Sequence, residues 1–204
     1  MREYLTEKLK KEMVMSCPEE SKDKSEGFGN RLLKTRTILI NGPVDEEMAE
    51  KVISQSLILD AESHDPIRVV ITSPGGMVDV GFAMYDILRY IESRVICIGA
   101  GFVASMGVPI MLAADKKDRL ALPNTRFMMH QPSGGGGGPA KDIRITAQEI
   151  MKVRERLNQL ISEETGQPLD KVALDCDRDY WMNSQEALEY GLIAKIIHSP
   201  KDIK

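Results

Sequence analysis

The sequence predicts an α/β fold built on a mostly parallel sheet with right-handed crossovers. Three observations carry that expectation. From residue 31 onward, short apolar runs alternate with segments of helical spacing; the runs are apolar nearly throughout, as buried parallel strands are; and Pro/Gly punctuation falls where runs end. The 204 residues suffice for one domain with a proper core.

The elements follow in order. "TILIN" (37–41) reads as a strand, and Asp45 as the N-cap of a helix reaching about residue 62, with Met48, Val52, Ile53 and Leu57 on one face. "IRVVIT" (67–72) is a second strand, closed by "SPGG" (73–76), and "VGFAMYDILRYI" (80–91) returns to helical spacing. "RVICIG" (94–99) is a third strand, followed by a helix of small residues after Ser105. "DRLAL" and "TRFMM" predict further short strands before a glycine run at 134–138. Residues 141–165 form the longest helix, with Ile145, Ile150, Val153, Leu157 and Ile161 near one face. Helices at 169–175 and 184–190 precede a last strand at 192–197.

Composition excludes several classes. Hydrophobic residues at 42% and charged residues at 28% describe an ordinary soluble globular protein, and a net charge of −4 gives no reason to expect nucleic acid. Cys17, Cys97 and Cys176 are widely spread, without metal-ligand spacing, and read as free thiols in a reducing compartment. No run approaches the ~18–20 apolar residues of a membrane span, and no signal-peptide apolar region opens the chain. The expectation is a cytoplasmic protein with no membrane partner. Residues 1–30 hold seven acidic side chains and one arginine; Leu5, Leu9 and Met13 allow a short amphipathic helix, but a polar, mobile arm is the expectation.

Chemistry is sought beyond the carboxyl ends of the strands, where ligands of parallel sheets collect. "SPGG", "GFVASMG" and "MMHQP" all follow a strand. Ser105 stands at a strand-to-helix turn, where free N–H groups favour a developing oxyanion; the alternative is a packing serine in a small-residue helix. The Gly-x-Ser-x-Gly elbow is absent, since Val103 replaces its first glycine. The two glycines of "SPGG" let backbone N–H groups face a ligand, or merely make a turn. His64 and His198 lie in polar surroundings, whereas His130 ends an apolar strand. "DCDRDYWM" (175–182) sets three carboxylates and an arginine beside the only tryptophan, a pattern that also suits a solvated surface.

Together, "SPGG", "ASMG", "MMHQP", "RD" before an aromatic and "EALEYGLIAKI" resemble, in order and spacing, the proteolytic subunits of the Clp protease, a family of ATP-dependent serine peptidases. The resemblance covers residues 31–198. It implies the α/β fold shared with crotonases, made of repeated β-β-α and β-α units with a protruding handle. The implied layout is an arm at 1–30, a head at 31–131 and 166–198, a handle strand and helix at 132–165, and a tail at 199–204. By this resemblance Ser105 is the nucleophile, His130 the general base and then acid, and Asp179 its orienting partner, with the N–H groups of Gly76 and Met106 as oxyanion hole. Asp177 and Arg178 match the family's contact between stacked rings. The implied partners are further copies of the chain in two stacked seven-membered rings, an AAA+ unfoldase of the Clp family, and unfolded polypeptide as substrate. No cofactor is implied, because ATP is used by the unfoldase. The handle strand would bind substrate as an added β-strand; its all-glycine run implies an order–disorder equilibrium there.

Two regions depart from the family. Residues 1–30 do not resemble its pore-lining segment, and Arg68 and Val70 replace aromatics of the unfoldase-docking strand, although Tyr90 keeps one. A divergent paralogue, working beside a second, more typical proteolytic subunit, is therefore expected. Two readings compete: a catalytically silent ring subunit, and a crotonase-like acyl-CoA enzyme, which shares the fold and paired N–H groups but uses carboxylates.

Overall fold

The computed structural model describes residues 28–203. The expected arm, with Cys17 and the Leu5/Leu9/Met13 helix, lies outside them up to residue 27, and a first helix, α1 (Phe28–Lys34), crosses its expected boundary.

The sheet is α/β and mostly parallel, as expected. Strands β1 (Thr37–Asn41), β2 (Ile67–Ser73) and β3 (Val95–Ala104) pair in parallel in that order. Helices α2 (Glu46–Glu62) and α3 (Val78–Tyr90) make the two crossovers. Asp45 caps α2, its Oδ1 accepting the Met48 N–H at 2.9 Å. The buried face of α2 is Ala49, Val52, Ser56 and Leu59 rather than the expected stripe through Leu57, which is 41% exposed. Ser56 tolerates burial because its hydroxyl donates to the Val52 carbonyl at 2.7 Å.

Strand β3 decides the geometry of the site. It runs five residues beyond the expected end, to Ala104, and forks: Cys97–Gly99 pair with β4 (Arg119–Ala121), while Phe102–Ala104 pair with β5 (Arg126–Met129). The bend falls at Gly101, with φ +64°, a conformation that favours glycine. The glycines that suggested an end to the strand instead let it turn and continue. Helix α4 (Gly107–Met111) follows at once.

Beyond β5, residues 130–137 form no strand, so the handle strand implied by the resemblance is not formed. A strand needs a ladder partner, and none lies beside this segment among the described residues; Gly134 and Gly136 instead rest against Ile150 and Thr146 of the long helix α5 (Ala140–Thr165). Full burial on α5 is confined to its C-terminal half: Leu157, Asn158, Ile161 and Thr165 are buried, whereas Ile145 is 55% exposed. Helix α6 (Leu169–Asp175) leads to β6 (Tyr180–Asn183), a strand the sequence reading did not anticipate, antiparallel to β5. Helix α7 (Ser184–Tyr190) carries a capping box between Asn183 and Glu186, and the expected last strand shrinks to β7 (Lys195–Ile196) beside β4.

One large core fills the space between sheet and helices. A smaller cluster of Ile96, Ile98, Leu120 and Ile197, with Val70 and Ile203, lies apart from it. The end of α5 is tied down by Arg119, 1% exposed, which donates to the carbonyls of Ala114, Leu112 and Glu164 and pairs with the Glu164 carboxylate. Glu164 also pairs with Arg89 of α3 at 3.1 Å. Among the described residues no helix is long and apolar enough to cross a membrane.

Candidate active site

The fork in β3 brings the ends of two strands side by side. Ser105 follows β3 directly, and its N–H donates to the Met128 carbonyl of β5 at 2.8 Å, so the ladder continues one residue past the strand. His130 follows β5 directly. The two side chains therefore meet: His130 Nε2 lies 2.8 Å from Ser105 Oγ. Asp179, the last residue before β6, places Oδ1 3.4 Å from His130 Nδ1, an ion-pair distance that is long for a hydrogen bond. His130 is 27% exposed and Asp179 61%.

Backbone strain marks the same turn. Ser105 has φ +51°, a left-handed conformation that costs a non-glycine residue about 1–2 kcal/mol. It is held there by the β5 bond and by the Val108 N–H, which donates to its carbonyl at 3.0 Å. At this turn the hydroxyl stands within hydrogen-bond reach of His130, and Met106 follows as the N-cap of α4. Gly76, with φ +156°, forms a parallel bridge to Val44 in which Val44 bonds the two neighbours of Gly76. That pattern leaves the Gly76 N–H pointing away from the bridge. Neither the Gly76 nor the Met106 N–H donates within the described residues.

The segment around Asp179 is fastened from several directions. Gln131 Nε2 donates to the Asp177 carbonyl at 2.7 Å, and Arg154 of α5 pairs with the Asp177 carboxylate at 3.1 Å. Trp181 stacks on Phe102 at 5.6 Å and carries the Arg126 guanidinium over its ring at 4.3 Å. Asp177 is thus engaged within the chain, and Arg178 is exposed. The sequence reading did not single out Gln131 or Arg154. Gln131 was visible inside "HQP", but its partner lies across the fold and no local pattern announces it.

Other titratable groups are set apart from this chemistry. Burial pushes the Cys97 thiol up to about 12 and the Cys176 thiol up to about 11, which makes both poor nucleophiles near neutrality. His64 is an exposed residue paired with Asp60 and Glu92, and His198 is exposed near the C-terminal end. Among the described residues no group of His, Cys, Asp and Glu is arranged to hold a metal.

Residues 19–200 match the family model described as Clp protease. The chain belongs to the Clp protease family. It is 51% identical over 172 residues to the ATP-dependent Clp protease proteolytic subunit 3 of Rhizobium etli, covering 84% of this chain and 89% of that protein. The proteolytic subunit 2 of Pseudomonas aeruginosa is 48% identical over 171 residues, 84% of this chain and 85% of that one. A solved structure of a ClpP1 point mutant from Listeria monocytogenes matches with a TM-score of 0.81 and 44% identity, over 85% of this chain and 98% of that one. As a Clp-family peptidase, the chain is set apart from the acyl-CoA reading that its fold alone left open. The paralogue numbering of these relatives agrees with the expected paralogue.

Proposed function

We propose that this chain is a serine endopeptidase acting through an acyl-enzyme, with Ser105, His130 and Asp179 as its triad. The observation that carries the reading is the 2.8 Å approach of Ser105 Oγ to His130 Nε2, with Asp179 on the other ring nitrogen. A serine hydroxyl is too weak an acid to attack unaided, and imidazole is the base suited to neutral pH. As Ser105 Oγ bonds the peptide carbonyl carbon, its proton passes to His130 Nε2. The carbonyl oxygen takes the negative charge and is bonded by the Gly76 and Met106 N–H groups. His130 then gives the proton to the leaving amine as the C–N bond breaks. Water attacks the acyl carbon next, losing a proton to His130; the C–Oγ bond then breaks to release the carboxyl product, and His130 returns the proton to Ser105 Oγ. Asp179 holds the Nδ1–H tautomer and balances the imidazolium.

The proposal extends to the assembly. The proteolytic-subunit names of the relatives support a subunit that joins further copies in a ring and receives unfolded polypeptide from a Clp-family ATPase. Two stacked seven-membered rings, a contact through Asp177 and Arg178, and a second paralogue in mixed rings are the finer form of this reading. ATP is spent by the ATPase, so the chain itself takes no cofactor. In such an assembly the glycine segment after His130 gains the ladder partner it lacks here and becomes a strand.

A fluorophosphonate probe tests the chemistry. Labelling at Ser105, abolished in Ser105→Ala and weakened in His130→Ala, is expected. No labelling in any oligomeric state overturns the triad and favours a silent ring subunit.

A further inference from the structure

The contact between His130 and Asp179 stands one step beyond the end of a ladder. Strands β5 and β6 are antiparallel, and their last pair is Met129 with Tyr180. His130 and Asp179 are the next residues on the two strands, so the same register carried one step further sets them opposite each other. Inside a ladder the main chain fixes the spacing of such opposed side chains. Past Met129 and Tyr180 that support ends, and Asp179 is 61% exposed at 3.4 Å from the His130 ring. Gln131 supplies a replacement. Pro132 behind it favours an extended backbone, which prolongs the course of β5. From there Gln131 Nε2 donates to the Asp177 carbonyl at 2.7 Å, two residues before Asp179 on the facing segment. Arg154 reaches the same segment, but it holds the half-exposed Asp177 carboxylate, a contact that water weakens. The Gln131 bond takes the main chain itself, on the side of Asp179 that β6 does not hold.

We infer that Gln131 is a positioning residue for the proposed triad: its side-chain amide, fastened to the Asp177 carbonyl, keeps Asp179 opposite His130. The inference rests on the triad reading above and adds to it a residue that acts through Asp179. Two anchors then bracket the aspartate, the Tyr180 pairing on one side and the Gln131 bond on the other. Because that bond uses a main-chain carbonyl, it leaves the Asp177 carboxylate to Arg154. Without it the segment before Asp179 is free to swing away from His130. The imidazolium that forms in the transition state then loses its balancing charge, while the binding of an unreacted peptide is untouched. The loss therefore falls on kcat rather than on KM.

The test is a double-mutant cycle on the full chain in its assembled state, with a fluorogenic aminocoumarin peptide and active sites counted by fluorophosphonate labelling. Ser105 labelling and a loss of kcat in Asp179→Asn are read first; if either is missing, the triad reading fails and this inference with it. Gln131→Met keeps the length of the side chain and removes the donor. It is expected to lower kcat about tenfold with KM little changed, short of the ~100-fold cost of a displacement near 1 Å because Arg154 still holds the segment. In the Asp179→Asn background the same substitution is expected to cost less than about twofold, since an asparagine cannot balance the imidazolium however firmly it is held. A merely structural glutamine costs the same in both backgrounds. That result, or no loss in the unsubstituted background, overturns the inference and leaves the triad standing. Gln131→Asn, whose amide falls a methylene short of the carbonyl, repeats the cycle if Gln131→Met does not assemble. Failure of both to assemble assigns Gln131 to the fold and overturns the inference equally.

Discussion

Gly75 lies directly against the turn that carries Ser105: a Cβ at residue 75 would stand 2.5 Å from Ser105 Cβ and 2.8 Å from both the Ala104 carbonyl oxygen and the Met106 nitrogen. Gly75 also has φ +86°, which side chains rarely adopt. The "SPGG" loop and the "ASMG" turn therefore fix one another, and with them the spacing of the proposed nucleophile and the proposed oxyanion donors. Gly75→Ala is expected to lower peptidase kcat/KM by about 100-fold or more, as a displacement near 1 Å does in a positioned site. Fluorophosphonate labelling rates, read beside a thermal melt, check it. A folded variant labelled at the original rate would show that the two loops are not coupled.

The third member of the site is the least firmly seated. Asp179 is 61% exposed and 3.4 Å from His130. A well-hydrated carboxylate is worth less to an imidazolium than a buried one, because water screens the pair. Asp179→Asn is expected to lower kcat by clearly less than the ~10⁴-fold loss known where the triad aspartate is buried. Steady-state kinetics on the assembled protein measures this. A loss as large as that of His130→Ala would mean that assembly buries Asp179.

Arg119 is the most enclosed charged residue among the described residues, and removing it leaves its neighbours' needs unmet. The carbonyls of Ala114, Leu112 and Glu164 lose the Arg119 donor at once, and the Glu164 carboxylate loses one of its partners. Arg119→Met is expected to cost about 3–5 kcal/mol, the range for breaking a buried pair, toward the lower end because Glu164 keeps Arg89. Urea unfolding checks it, and a shift below about 1 kcal/mol would refute it. Because Arg119 anchors the C-terminal end of α5, proteolysis should cut this helix sooner in the variant.

Much of this arrangement was legible because the sequence advertises short-range physics. The strand runs, the Asp45 cap and the motif order all depend on near neighbours, and the resemblance brought Ser105, His130 and Asp179 forward together. The extension of β3 through "GAGFVA" was hidden, because glycines there signal an ending and only the fork onto β5 shows that they serve a bend. Strand β6 was hidden by the charges before it, since "YWMN" earns its ladder from β5 and from the Phe102–Trp181 stack. Leu57 and Ile145 fit a helical stripe, yet nothing in a periodicity says where along a helix the core stops. Gln131 owes its meaning to a partner far away in the chain, the Asp177 carbonyl.

Acid sensitivity provides a last check, at a junction remote from the site. Asp60, near the end of α2, accepts the Ser93 N–H at 2.8 Å and the Ser93 hydroxyl at 2.7 Å, joining α2 to the turn before β3. These bonds, the Ser93 hydroxyl first, favour the carboxylate and bring its pKa from 3.8 down to about 2. A carboxyl with a lowered folded-state value stabilises the fold above its ordinary value, and that contribution fades as pH falls from 3.8 toward about 2. Carbon-detected NMR titration is expected to place the Asp60 midpoint near the lower figure, and Ser93→Ala to move it back up. A midpoint that Ser93→Ala leaves unmoved would show that the serine is not what holds the charge, and that the junction owes its order to packing alone.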